Sequence, residues 1–333
     1  MRLRHWFLLA GVLLALGAGA AGTLDWLLSP PAAQAEAVLF DVPVGSTLST
    51  VGRALAAAGL VRSPRAFVLL GRWRKVQGHL QAGQYEVSAA MPPGEILEMM
   101  AEGKVHTLEL LVPEGISAAE IAERLGELGL CDPAEFMAVV RDPGSAAAFG
   151  VEGPGLEGYL FPETYRLPHG LTAREIARTL VAEFHAAWRG VGDSASQQGL
   201  SMRTVVILAS IIEKETGLAE ERPLIASVFR NRLARGMRLE SDPTVIYGID
   251  GFDGNLHRVD LENAANPYNT YRIQGLPPGP IANPGAAALH AVVEPATTDY
   301  FYFVSRNDGG HVFSRNYQEH VANVDHYQRR RSR

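Results

Sequence analysis

The segment "ILASIIEKETG", Ile207–Gly217, decides how this chain is read. An apolar helical run ends there in two glutamates, Glu213 and Glu215, two positions apart. Such a pair is either an ordinary helix end or the seat of a reagent. In "RTVVILASIIEKET", Leu208, Ile211, Ile212 and Glu215 follow i, i+3, i+4, i+7 spacing, so Glu215 continues the apolar stripe. Glu213 falls on another face, nearer Ala209 and Ser210. Apolar surroundings disfavour a charged carboxylate and raise its pKa, which suits a carboxyl group to general-acid work near neutral pH. Glu215 is therefore the better reagent candidate, and Glu213 the solvated or hydrogen-bonding one. On periodicity alone, Glu215 could equally do no more than end a helix.

Three neighbouring stretches add to the case. "LEGYLFPETYRLP" (Leu156–Pro168) lies upstream; "SDPTVIYG" (Ser241–Gly248) and "NPYNTYRIQGLPPGPIANPG" (Asn266–Gly285) lie downstream. Each sets Tyr or Phe beside Asn, Asp, Glu or Thr and is stiffened by Pro and Gly. Flat apolar rings beside oriented polar groups fit a carbohydrate cleft, although such loops could simply wrap a β-rich core. Candidate sugar contacts are Glu157, Tyr159 and Thr164; Asp242, Thr244 and Tyr247; and Tyr268, Asn269 and Tyr271. Pro277, Pro278 and Gly279 shape a wall, and His311, beside a turn, reads as structural.

The chain has 333 residues, 47% hydrophobic and 20% charged, enough for two domains. A formal charge of −6 argues against nucleic-acid binding, which needs excess Lys and Arg. One cysteine, Cys131, excludes an intrachain disulfide framework, and scattered histidines give no metal-ligand spacing. No metal or cofactor is expected. At the N-terminus, Arg2 and Arg4 precede 19 uncharged residues, Trp6 to Leu24. That suits a transmembrane anchor over residues 6–28, with residues 1–5 in the cytoplasm and the remainder outside. A cleaved signal peptide is the alternative, because Ala18-Gly19-Ala20 resembles a cleavage site.

After a Pro/Ala-rich linker, residues 29–37, the chain repeats itself. "VPVGSTLSTVGRALAAAGLV" (Val42–Val61) and "VPEGISAAEIAERLGELGLC" (Val112–Cys131) begin 70 residues apart. Each reads as a strand, a Pro-x-Gly turn and an amphipathic helix closing at Gly59 or Gly129. "GLTAREIARTL" (Gly170–Leu180) echoes the helix alone. Ser117 with Glu120, and Thr172 with Glu175, have capping-box spacing. Gly83–Val87 reads as a strand and Pro92–Gly103 as a helix, which makes residues 38–106 a small mixed domain. Residues 107–330 form a larger α+β domain, with helices over 172–189, 202–216 and 220–235. Tyr300–Ser314 reads as a hairpin around Asn-Asp-Gly-Gly. The tail Arg329–Arg333 reads as a solvated end.

Taken together, "LEGYLFPETY", "LASIIEKET", "SVFRNRLARGMRLESDPTVIYG", "YNTYRIQGLPPGPIANPG" and "YFYFVS…GGHVFS" resemble the MltG (YceG-like) family of endolytic murein transglycosylases. The likeness covers nearly the whole chain. It implies an anchor in the inner membrane, a LysM-like domain over 38–106 and a catalytic domain outside the cytoplasm. The implied substrate is the peptidoglycan glycan strand, with peptidoglycan synthases as partners. The β-1,4 bond after N-acetylmuramic acid would be cleaved without water, leaving a 1,6-anhydro end and terminating strand elongation. The family's catalytic glutamate falls within Glu213-Lys214-Glu215-Thr216; lytic transglycosylases carry a Glu-Ser pair at a helix end, which Glu215-Thr216 resembles and Glu213-Lys214 does not. Rival readings are a muramidase acting on the same bond and a membrane-anchored glycan-binding scaffold. A peptidase or amidase lacks a nucleophile or metal set here.

Overall fold

The computed structural model describes residues 2–329, with side chains from Gly11 onward. The chain divides into two units: residues 1–108 with 166–170, and residues 109–165 with 171–333.

In the first unit, helix α1 (Arg2–Leu27) leads to β1 (Ala37–Val42), α2 (Leu48–Ala57), α3 (Pro64–Trp73), β2 (Gly83–Ser88) and α4 (Pro93–Glu102). Strands β1 and β2 are antiparallel, with Phe40 opposite Tyr85 and Val38 opposite Val87. Thr47 caps α2 by accepting from the Thr50 N–H, and Ser63 caps α3 with Pro64 at its first turn. Val51, Leu55, Phe67, Tyr85, Ile96 and Met100 are the centre of a core that all these elements except α1 share. Among the described residues, no helix is long and apolar enough to cross a membrane. The structure by itself thus does not bear out the anchor expected over residues 6–28, of which Trp6 to Ala10 lie outside the described side chains, as do residues 1–5.

The chain passes between the units within β3 (Thr107–Val112) and continues through α5 (Ala118–Glu127), α6 (Pro133–Arg141), α7 (Pro143–Ala148) and β4 (Glu163–Pro168), the partner of β3. Both copies of the repeat fold as strand, turn and helix. Gly45 and Gly115 occupy the same turn position at φ 79° and 78°, where a side chain would be strained. The third echo is more complete than its sequence suggests, since β4 precedes its helix, α8 (Ala173–Trp188). Both expected capping boxes are present, at Ser117–Glu120 and Thr172–Glu175.

Next come α9 (Gly192–Gln197), α10 (Met202–Glu215), α11 (Arg222–Ala234), α12 (Asp242–Tyr247), α13 (Arg258–Glu262) and α14 (Ala286–Val293). An antiparallel hairpin of β5 (Tyr302–Ser305) and β6 (His311–Ser314) follows, then α15 (Tyr317–Val324) and a π-turn, Asp325–Arg329. Arg329 pairs with Asp325; the rest of the expected solvated tail, residues 330–333, is outside the described residues. The centre of this unit is helical rather than β-rich: α14 packs on both α10 and α11. Every residue of α10 from Val205 to Ile212 is buried, Ser210 included. Helix α10 therefore has no solvated side over that stretch.

Candidate active site

Glu215 is the last residue of α10. Being half-buried, its carboxyl is raised to about 7, chiefly by loss of solvation. A hydrogen bond from Ser241 pulls the other way, Asp242 pushes further up, and Arg232 pulls down. The Ser241 hydroxyl donates to Glu215 Oε1 at 2.5 Å. The second oxygen has no hydrogen-bond partner among the described residues.

The neighbours of Glu215 are fixed from behind. Arg232 of α11 is buried and donates to the carbonyls of Arg238, Leu239 and Phe301 and to the Glu240 carboxylate. These bonds hold the segment ahead of α12, where Glu240 sits in the left-handed region at φ 52°, a strained conformation for a side-chain-bearing residue. Ser241 follows directly. It occupies the N-cap of α12, yet its hydroxyl does not cap, because it turns to Glu215 instead. Thr244 donates to the Ser241 carbonyl at 2.7 Å and meets Thr270 at 2.8 Å, while the Ser241 N–H donates to Thr270 Oγ1. Tyr271 donates to Asp242 Oδ1 at 2.6 Å.

Glu213 is not solvated. Its side chain is 5% exposed; Arg222 donates to one oxygen at 2.9 Å and the Gly285 N–H to the other at 3.0 Å. The expectation of a hydrogen-bonding role holds, and that of a solvated face does not, because α11 and the 283–285 segment pack on that side. A Cβ at residue 285 would meet Glu114 Oε1 at 1.8 Å, so a side chain there would require the half-exposed Glu114 to turn away. Lys214 reaches across to the Gly115 carbonyl at 3.1 Å.

Beyond α12 a cleft of about 980 Å³ opens, lined by Glu157, Tyr247, Tyr268, Lys214, Arg141 and Pro280 among others. Glu157 is also raised to about 7, first by burial, against hydrogen bonds from Ala118, Tyr247 and Gly158. Both its oxygens are engaged: Oε1 accepts from the Ala118 N–H and Asn283 Nδ2, Oε2 from Ala118 and the Tyr247 hydroxyl. Tyr247 and Tyr268 meet edge to face, 4.8 Å between ring centres. Glu215 does not line this cleft. Helix α12 links the two places, with Ser241 at its N-terminal end and Tyr247 at its C-terminal end, about 9 Å along a six-residue helix.

The structure thus gathers Glu157, Tyr247 and Tyr268 on the cleft, and Asp242 and Tyr271 beside Glu215. Tyr159 touches the cleft, but its ring is buried against Phe184 and its hydroxyl donates to the Glu152 carbonyl. Three expected sugar contacts are placed otherwise. Thr164 is exposed on β4, away from the cleft lining. Thr244 is wholly buried in the Ser241–Thr270 network. Asn269 is wholly buried, its amide donating to the Asp260, Leu261 and Asn263 carbonyls and its oxygen accepting from the Tyr271 N–H. It ties the loop that presents Tyr271 and leaves no group for a ligand. His311 has a structural place, paired with the buried Glu221, which also accepts from Thr216 just after Glu215.

Sequence reasoning missed Ser241, Arg232 and Asn283. The buried Asn283 accepts from the Gly158 and Leu160 N–H groups and donates to the Ile116 carbonyl and Glu157. Serine ahead of Asp-Pro signals a helix cap, and only its failure to cap marks it as something else.

The chain falls in a recognisable class. The YceG-like family pattern matches residues 40–326, and the chain belongs to that family. It is 29% identical over 306 residues to the endolytic murein transglycosylase of Bacillus subtilis, covering 87% of this chain and 84% of that one. It is also 29% identical to the protein of the same name from Streptococcus pneumoniae strain D39, over 90% of this chain, which spans only 60% of that relative's length. A crystal structure of a YceG-like protein from Listeria monocytogenes superposes with a TM-score of 0.60 at 32% identity, over 86% of this chain and 98% of that one.

Proposed function

We propose that this protein is an endolytic murein lytic transglycosylase that cuts the β-1,4 bond between N-acetylmuramic acid and N-acetylglucosamine within glycan strands, and that Glu215 is its acid and base. The observation that carries the assignment is a contrast. Of Glu157, Glu213 and Glu215, only Glu215 keeps a carboxylate oxygen without a hydrogen-bond partner among the described residues, at a raised pKa of about 7. Both oxygens of each other glutamate are occupied by protein donors.

Protonated Glu215 gives its proton to the departing glycosidic oxygen as positive charge develops at C1 of the muramic acid. The carboxylate so formed takes the proton of the muramoyl C6 hydroxyl, whose oxygen closes onto C1. The bond to the leaving sugar breaks, a C6–O–C1 bridge forms, and Glu215 ends as it began, protonated. A placed acid or base contributes about 10²–10⁴-fold per transfer. Ser241 holds the carboxyl group between the two transfers, and its hydrogen bond strengthens when the group is charged. Because the substrate supplies the nucleophile, the second carboxylate of a hydrolase, about 5–5.5 or 6.5–9.5 Å away, has no task. The Tyr247–Tyr268 pair suits the apolar face of a sugar ring.

The same proposal extends to placement. Arg2, Arg4 and the uncharged run after them support a single-pass tether in the cell membrane, with the site outside the cytoplasm. Within the first unit, the β1–α2–α3–β2 succession with α4 packed on it is read as a LysM-like glycan-holding module. Strand termination beside the peptidoglycan synthases follows as the cellular role.

The test is digestion of uncrosslinked glycan strands with mass analysis of the ends. Wild type is expected to give ends lighter by one water than a hydrolase would, and Glu215→Gln to give none. Reducing ends of ordinary mass would make the protein a muramidase. Full cleavage by Glu215→Gln would discard the assignment.

A further inference from the structure

The first unit carries a groove lined by none of the residues assigned above to cleavage. It has a volume of about 530 Å³ and lies between α2 and α3, lined by Arg53, Arg65 and Arg72 with Ser49 as the other polar side chain and no acidic residue. None of the three guanidinium groups makes a hydrogen bond or ion pair among the described residues. The other arginines of this unit with described interactions are engaged within it: Arg74 pairs with Glu98, and Arg62 donates to the Pro30 and Pro31 carbonyls. Three unpaired cations around one concavity, in a chain of net charge −6, repel one another unless an anion lies among them.

The groove has an apolar lip as well. Arg65, Leu69, Arg72 and Trp73 recur at i, i+4, i+7 and i+8 along α3 and so share one face. Leu69 is 56% and Trp73 77% exposed, while Ala66, Phe67 and Gly71 are buried toward the core. Arginine beside exposed tryptophan and leucine on one helix face matches a phosphate-bearing interface with hydrocarbon beneath it. A purely polyanionic partner would leave Leu69 and Trp73 unexplained. Arg62 also lies over the Trp26 ring, 4.9 Å from its centre, so the end of α1 is fastened to the segment that leads into α3.

We propose that the α2–α3 groove binds the anionic headgroups of a membrane surface, with Leu69 and Trp73 entering the interface. The proposal extends the membrane reading of the N-terminal helix and is tested by a different readout. The full chain, carrying Leu69→Cys and Cys131→Ser, is labelled at position 69 with an environment-sensitive fluorophore. It is mixed with phosphatidylcholine vesicles with and without phosphatidylglycerol. Co-sedimentation with neutral vesicles reads the tether; the fluorophore reads the groove. The expected result is a blue shift on anionic vesicles only, weakened at high salt. The further triple change Arg53→Gln, Arg65→Gln and Arg72→Gln should weaken the response roughly tenfold or more, with circular dichroism and glycan cleavage retained. Equal emission on both vesicle types overturns the proposal, as does a full response from the triple variant. A response to a soluble phosphate-bearing wall polymer but not to anionic vesicles assigns the groove to a polymer and equally overturns it.

Discussion

Glu157, Glu213 and Glu215 share one chemistry and differ in what their oxygens touch. Glu213 accepts from Arg222 on one oxygen and from the Gly285 N–H on the other. Glu157 is enclosed by four donor contacts. Glu215 has, among the described residues, Ser241 alone, and two measurements follow. If protonated Glu215 is the acid, kcat/KM falls as pH rises through about 7. Ser241→Ala removes a bond that favours the charged form, so this limb is expected to move up by about one pH unit, the equivalent of a charge-assisted hydrogen bond. A limb that stays in place means that Glu215 is not the group titrating. The second measurement is stability. A carboxyl raised in the folded state keeps its proton where the unfolded chain has lost it, so stability declines from about pH 4.5 through about 7. Glu215→Gln is therefore expected to be more stable than wild type at pH 8 by roughly 1–3 kcal/mol, and about equal at pH 4. Urea unfolding at the two pH values checks this; an equally unstable variant at pH 8 would refute the raised pKa.

At the scale of elements, α10 and α12 carry the site, and a loop residue joins their surroundings. Asn283 bonds simultaneously to the Gly158 and Leu160 N–H groups, the Ile116 carbonyl and Glu157. Asn283→Ala leaves two buried N–H donors and one carboxylate oxygen short of a partner, for a loss of about 2–5 kcal/mol. Denaturant unfolding should show it, and a loss under about 1 kcal/mol would mean that water or a neighbour replaces the amide. Helix α10 itself was legible: the apolar run predicts a helix over 202–216, and the structure gives Met202–Glu215, with Ser201 as a cap accepting from the Thr204 N–H. Which glutamate matters was not legible from its periodicity. The stripe assumes a solvated opposite face, whereas α10 is buried on every side through Ile212. The proposal of Glu215 rests instead on the occupancy of its oxygens.

At the scale of the whole molecule, the proposal assigns the two units separable tasks. Removal of residues 1–28 is expected to leave cleavage of soluble glycan strands intact and to abolish sedimentation with neutral vesicles. Loss of cleavage on soluble strands would show that the N-terminal helix contributes to the fold. The sequence by itself determined the α+β class, the strand–turn–helix repeat, the capping boxes, the β5–β6 hairpin and the helix that ends in Glu215. Each depends on short-range rules: periodicity, turn glycines and caps within a few residues. Tertiary structure alone decided that Ser241 meets Glu215 across 26 positions and that Arg222 neutralises Glu213. It likewise decided that Asn269 and Thr244 face inward rather than toward a ligand. A carboxyl group's proton affinity depends on which distant groups replace its water, and no local pattern in the chain encodes that replacement.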